Sequence, residues 1–111
     1  MEFQTRKEAN ATIVTITGRL DAVTTPDYEK RVRALIEEGD NCFVVDFAQL
    51  DYISSAGLRG LLVTAKLLKA SGGRIRFANV GGNVRSVFDM SGFVSMFPID
   101  DSVAAAVGAL A

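Results

Sequence analysis

The chain has no histidine and no tryptophan, one cysteine and two prolines in 111 residues. The missing histidine removes imidazole acid–base catalysis, histidine metal ligation and histidine-activated nucleophiles. Carboxylate and lysine chemistry stay open. A single cysteine, Cys42, excludes an internal disulfide. It opens an apolar run with no basic cluster or helix start beside it to activate a thiolate, so a buried structural thiol is expected. Neither sign of charge prevails: 12 basic residues against 13 acidic ones leave a net charge of −1, and the basic residues are scattered. That pattern offers nothing to nucleic acid or to an anionic membrane surface. No apolar run approaches the ~20 residues of a membrane span. Met1 to Asn10 is polar and lacks the core of a secretory signal, so a soluble, cytoplasmic protein is expected. The carboxylates Asp46, Asp51, Asp89, Asp100 and Asp101 lack metal-loop spacing. No catalytic residue, metal or cofactor is assigned.

What the chain does have is apolar patterning, with 49% hydrophobic residues. That is enough for one domain over residues 1–111 without covalent staples. Residues 2–7 suit a charged edge strand, and the β-branched run 11–17 suits a strand closed by Gly18. Thr25-Pro26-Asp27 is a helix start, with threonine able to cap and proline in the first turn. Tyr28, Val32, Leu35 and Ile36 then share one helical face. Residues 42–47 are almost continuously apolar, as in a central strand covered by helices. A second helix follows Ser54-Ser55 to about Ala70, with Leu58, Leu61, Leu62, Ala65 and Leu68 on its core face. Residues 74–80 alternate as a strand, Val84, Val87 and Phe88 mark a short helix ending near Gly92, and Phe97-Pro98-Ile99 suits a brief strand. Asp100, Asp101 or Ser102 caps a last helix. The expected order is β-β-α-β-α-β-α-(β)-α: an α/β fold with a mixed sheet of four to five strands packed against about four helices.

The segment Asp51-Tyr52-Ile53-Ser54-Ser55-Ala56-Gly57-Leu58 carries the functional question. Two hydroxyls stand where a helix exposes unpaired amides and a partial positive charge. A serine there can cap the helix, or take a phosphate that the dipole tolerates. Gly57 costs helix stability, which points to close backbone approach by a partner, a kinase site or tight internal packing. Asp21, in the loop from Gly18 to Thr25, can turn that loop or meet a partner. Ala56, Gly60, Val63 and Leu67 form an uncharged stripe opposite the core face. It suits either a second packed helix or a docking surface. Gly81-Gly82-Asn83 lacks the spacing of a phosphate loop and reads as a turn.

Three segments, in this order and spacing, resemble the STAS domain, and in particular the stand-alone bacterial anti-sigma factor antagonists. They are Thr17-Gly18-Arg19-Leu20-Asp21, similar to the family's T-G-x-L-D; Val45-Asp46-Phe47 through Ile53-Ser54-Ser55-Ala56-Gly57-Leu58, similar to its strand-to-helix junction; and Val84 through Phe88-Asp89-Met90-Ser91-Gly92-Phe93. The resemblance implies a regulator that binds an anti-sigma factor acting also as a serine kinase; from the sequence itself a monomer without enzymatic activity is expected. Binding releases the sigma factor, phosphorylation ends it, and a serine phosphatase restores the active form. Ser55 matches the phosphoacceptor. Ser54 stands where the family often has aspartate and is the alternative acceptor. The implied docking surface comprises Asp21, Thr24, Ser54, Ser55, Ala56, Gly57, Arg59, Gly60, Val63 and Leu67. The alternative is an adaptor subunit of a transporter or sensory complex, using the same face without phosphate.

Overall fold

The computed structural model describes residues 1–110. Its elements are β1 (Glu2–Glu8), β2 (Ala11–Leu20), α1 (Thr25–Glu37), β3 (Cys42–Asp46), β4 (Leu50–Ile53), α2 (Ser55–Ala70), β5 (Arg74–Ala78), α3 (Gly82–Ser91), a 3-10 turn (Phe93–Ser95), β6 (Ile99–Asp100) and α4 (Val103–Leu110). The sheet is ordered β1-β2-β3-β5-β6, antiparallel at β1–β2 and parallel elsewhere, with β4 attached to the end of β2. This is the expected mixed α/β fold with four helices.

The structure corrects the expectation for two of the strands. The sheet has six strands, because Leu50–Ile53 forms one. And β2 does not end at Gly18. Gly18 adopts φ +93°, a left-handed conformation that glycine reaches without steric cost. A register shift follows between Gly18 and Arg19, and the strand continues to Leu20. Thr12 to Thr15 of β2 pair with β3, and Gly18 to Leu20 pair with β4, the shift falling inside this second pairing. This partner change aims the chain entering α2 at the end of β2.

One core lies between the sheet and α1, α2 and α3. It includes Val14, Ile16, Leu20, Tyr28, Val45, Leu61, Ala65 and Leu68. Five phenylalanines, Phe47, Phe77, Phe88, Phe93 and Phe97, pack edge-on or tilted beneath α3 with centroids 4.7–6.0 Å apart. Such pairs add about 0.5–1.5 kcal/mol each beyond their buried area. They tie α3 and the 3-10 turn to Phe77 of β5 and to Phe47, just after β3. The opposite sheet face carries a smaller core of Ala11, Ile13, Cys42, Val44, Ala78, Ala106 and Leu110 under α4. Cys42 is buried there, as expected. The Leu110 carbonyl accepts from Arg74 Nη2 at 2.6 Å, which ties down the end of α4. Ser102, one of the three candidate caps, receives the Ala105 amide at 3.0 Å.

Thr25 does not cap α1. The cap position is Thr24, and the Thr25 hydroxyl is buried without a hydrogen-bond partner. The next helical turn buries Tyr28 completely. Its hydroxyl lies 3.2 Å from Thr64 Oγ1, which donates in turn to backbone carbonyls of α2. Burial pushes the Tyr28 pKa up from 10.0 to about 12, against a smaller lowering by the Thr64 bond. Between these values an unfolded chain has released the phenolic proton while the folded chain retains it. The unfolded state then binds fewer protons, so stability falls as pH rises through this window. The slope approaches about 1.4 kcal/mol per pH unit for one group. Urea unfolding from pH 9 to 12 should show this loss, and Tyr28→Phe should flatten it relative to wild type.

Candidate functional site

The site is built where β2 and β4 end together. The Ser54 amide donates to the Leu20 carbonyl at 3.0 Å, closing the β4 end onto β2. Ser54 itself is extended, with φ −92° and ψ 172°, and its Oγ accepts the Gly57 amide at 3.2 Å. It is the N-cap of α2, which stabilises a helix by about 1 kcal/mol. Ser55 is the first helical residue and is exposed. The two adjacent serines thus divide the work: Ser54 satisfies the orphan amide, and the Ser55 hydroxyl stands outside the cap.

Gly57 is explained by internal packing. A Cβ at this position would lie 2.3 Å from the Leu20 carbonyl oxygen and 2.9 Å from its carbon. The first turn of α2 therefore sits directly on the backbone of β2, and Gly57 is buried rather than part of an outer surface. The uncharged stripe resolves similarly. A Cβ on Gly60 would meet Thr25 Cγ2 at 2.2 Å, and Leu67 lines a crevice with Arg33, Ile36 and Glu37 of α1. Gly60 is buried, and Ala56, Val63 and Leu67 are half-buried. Gly60 and Leu67 meet α1, the second packed neighbour. Of the residues expected on a docking surface, Ser55 and Arg59 are exposed.

The Asp21 loop is held by its own polar groups. Asp21 Oδ1 accepts from the Val23 amide at 3.0 Å, the Thr24 amide at 3.1 Å and lies 3.2 Å from Thr24 Oγ1. The Asp21 amide donates to Thr24 Oγ1, and Oδ2 faces Arg19 Nε at 3.6 Å. The Thr24 amide leads in holding the Asp21 carboxyl below the usual carboxylate range. Asp21 and Thr24 shape the loop, and Val23 at its tip is 86% exposed.

Sequence reasoning missed the apolar rim. Val23, Tyr52, Met90 and Met96 are the large hydrophobic side chains left exposed among the described residues. Three of them border Ser55. A groove of about 410 Å³ between α2 and α3 is lined by Tyr52, Ser54, Ser55, Leu58, Val87 and Met90, among others. A second, of about 220 Å³, is lined by Ser55, Leu58, Arg59, Leu62, Phe93 and Met96, among others. Arg19 stacks over the Tyr52 ring at 4.3 Å. Met90 carried one signal in the sequence: it lies off the face defined by Val84, Val87 and Phe88, just before the helix-ending Gly92.

The STAS domain family matches residues 2–106, nearly the whole chain. The chain belongs to the STAS family. Among curated relatives, BtrV of Bordetella bronchiseptica, named as a candidate anti-sigma factor antagonist, is 37% identical over 97 residues, covering 87% of this chain and 84% of BtrV. The fold also matches solved structures. A candidate anti-sigma factor antagonist of Thermotoga maritima superposes with a TM-score of 0.90 at 18% identity, over 96% of this chain and 92% of that one. The phosphorylated form of the Bacillus cell-fate determinant SpoIIAA gives 0.77 at 21% identity, over 99% and 100%. This STAS domain presents its exposed serine on the same scaffold, at the α2 N-terminus between two apolar grooves.

Proposed function

We propose that this STAS domain is an anti-sigma factor antagonist controlled by phosphorylation of Ser55. In the unmodified state it binds an anti-sigma factor that is also a serine kinase, and the sigma factor is released. Phosphorylation of Ser55 ends the complex, and a serine phosphatase restores the free hydroxyl. The observation that carries this reading is the division of labour at the α2 N-terminus: Ser54 caps, while Ser55 stands exposed among apolar side chains. The name of the BtrV relative supports the same role.

The chemistry asks little of this chain. The Ser55 oxygen attacks the γ-phosphorus of ATP held by the partner. A bond forms from Oγ to phosphorus as the bond to the departing ADP breaks, and the hydroxyl proton passes to a base. No carboxylate lines either groove beside Ser55, and Ser54 stands where an aspartate is common, so the partner supplies that base. The product carries about −1.5 to −2 charges at a helix N-terminus, which the dipole tolerates. The same charge is costly to desolvate against an apolar partner surface. The switch therefore acts on the interface and leaves the fold intact.

Incubation with the candidate kinase and ATP, followed by mass-spectrometric mapping, tests the assignment. Phosphate is expected on Ser55 in wild type and in Ser54→Ala, and nowhere in Ser55→Ala. Modification of Ser54 alone would transfer the role to the cap. Modification of neither serine would favour the adaptor reading.

A further inference from the structure

We infer that Arg59 is the intramolecular partner of a phosphate on Ser55, an inference that rests on the reading of Ser55 as the acceptor. Ser55 and Arg59 are one helical turn apart on α2, the i, i+4 spacing that brings side chains together. Both line the groove with Leu58 and Leu62. Arg59 is the only charged residue lining either groove beside Ser55. It is exposed, and none of the six ion pairs among the described residues includes it.

The molecule holds its own template for the contact. In the first turns of α1, Asp27 precedes Arg31 by four residues, and Arg31 Nε lies 3.2 Å from Asp27 Oδ2. α2 repeats the i, i+4 spacing closer to its N-terminus, with Ser55, its first residue, in place of the acid that stands third in α1. Phosphorylation supplies the missing anion, with three acceptor oxygens that suit a guanidinium fork. Acid N-terminal to base is also the favourable orientation along a helix. Arg59 then holds the phosphate over its own helix, so the modified state is a settled conformation rather than a freely moving charge. In the unmodified protein its charge borders the apolar groove without an ion-pair partner among the described residues.

The test uses the full chain carrying phosphoserine at position 55, incorporated during translation so that no kinase is needed. The second ionisation of the phosphate, ordinarily near pH 6, is followed by phosphorus NMR in wild type, Arg59→Gln and Arg59→Lys. Removing the guanidinium in Arg59→Gln should raise this pKa by about half a pH unit, on the scale of exposed i, i+4 ion pairs. Arg59→Lys should fall between, and 1 M salt should shrink the difference. Equal values in all three proteins would overturn the role of Arg59, including the case where all are equally depressed because the helix N-terminus alone holds the anion. The kinase experiment reads the assignment of Ser55 separately, so either idea can fail without the other.

Discussion

Gly57→Ala should destabilise the domain by about 2–3 kcal/mol, a fall in Tm of roughly 10 °C or more. The added methyl group would meet backbone, not a side chain that can rotate away. It would lie 2.3 Å from the Leu20 carbonyl oxygen, the atom that also accepts the Ser54 amide. To relieve the clash, α2 must lift from the end of β2, which stretches that hydrogen bond and tilts the Ser55 hydroxyl. The substitution should therefore lower stability and slow phosphorylation of Ser55 together. Gly108→Ala provides the contrast. Gly108 lies within α4, with nothing near an added Cβ. The same chemical change there should raise stability by up to ~1 kcal/mol, through helix propensity. Thermal and urea melts of the two variants separate the effect of close approach from the effect of glycine itself.

Met90→Asp should weaken binding to the anti-sigma partner by about 30-fold, or roughly 2 kcal/mol. Its Tm should stay within the range of ordinary surface changes, about 0.5 kcal/mol. Met90 is 88% exposed and borders the groove beside Ser55, so the folded monomer gains little from its contacts. A carboxylate there would be desolvated by a partner seated on the groove, without a charge in either groove wall other than Arg59 to offset it. Leu67→Ala should behave in the opposite way. Leu67 lines the α1–α2 crevice, so its truncation should lower stability by about 1 kcal/mol and leave affinity nearly unchanged. Calorimetric titration with the partner, beside melts of each variant, distinguishes a surface on the α3 side of α2 from one on the α1 side.

Much of this architecture was legible in the residues. The face Tyr28, Val32, Leu35, Ile36 repeats at helical spacing, and Cys42–Asp46 reads as a covered strand because both its faces are apolar. β4 was not legible. Leu50-Asp51-Tyr52-Ile53 is short and has two exposed residues, and its pairing depends on a distant segment, the end of β2 beyond Gly18. Gly18 looked like a stop because a left-handed glycine usually ends a strand. Here the strand runs on through it and pairs with β4 from Gly18 to Leu20. The junction serines were identifiable by position alone, since a helix start needs a cap. Which serine caps is decided by a backbone conformation, extended at Ser54 and helical from Ser55. The uncharged stripe on α2 was ambiguous for a physical reason. Packing on a second helix and docking of a partner both exclude charge, and only the position of α1 separates them. The apolar rim was hidden because methionine, tyrosine and valine are usually buried residues, and exposure is a property of the assembled fold.

The central claim is that phosphate on Ser55 switches an interface and spares the fold. The direct measurement compares unmodified and Ser55-phosphorylated protein in calorimetric titrations with the anti-sigma partner, with a melt of each preparation. The account predicts at least a tenfold loss of affinity on phosphorylation, with Tm unchanged or slightly raised. Equal affinity of the two forms, or loss of binding accompanied by unfolding of the phosphorylated domain, would contradict it.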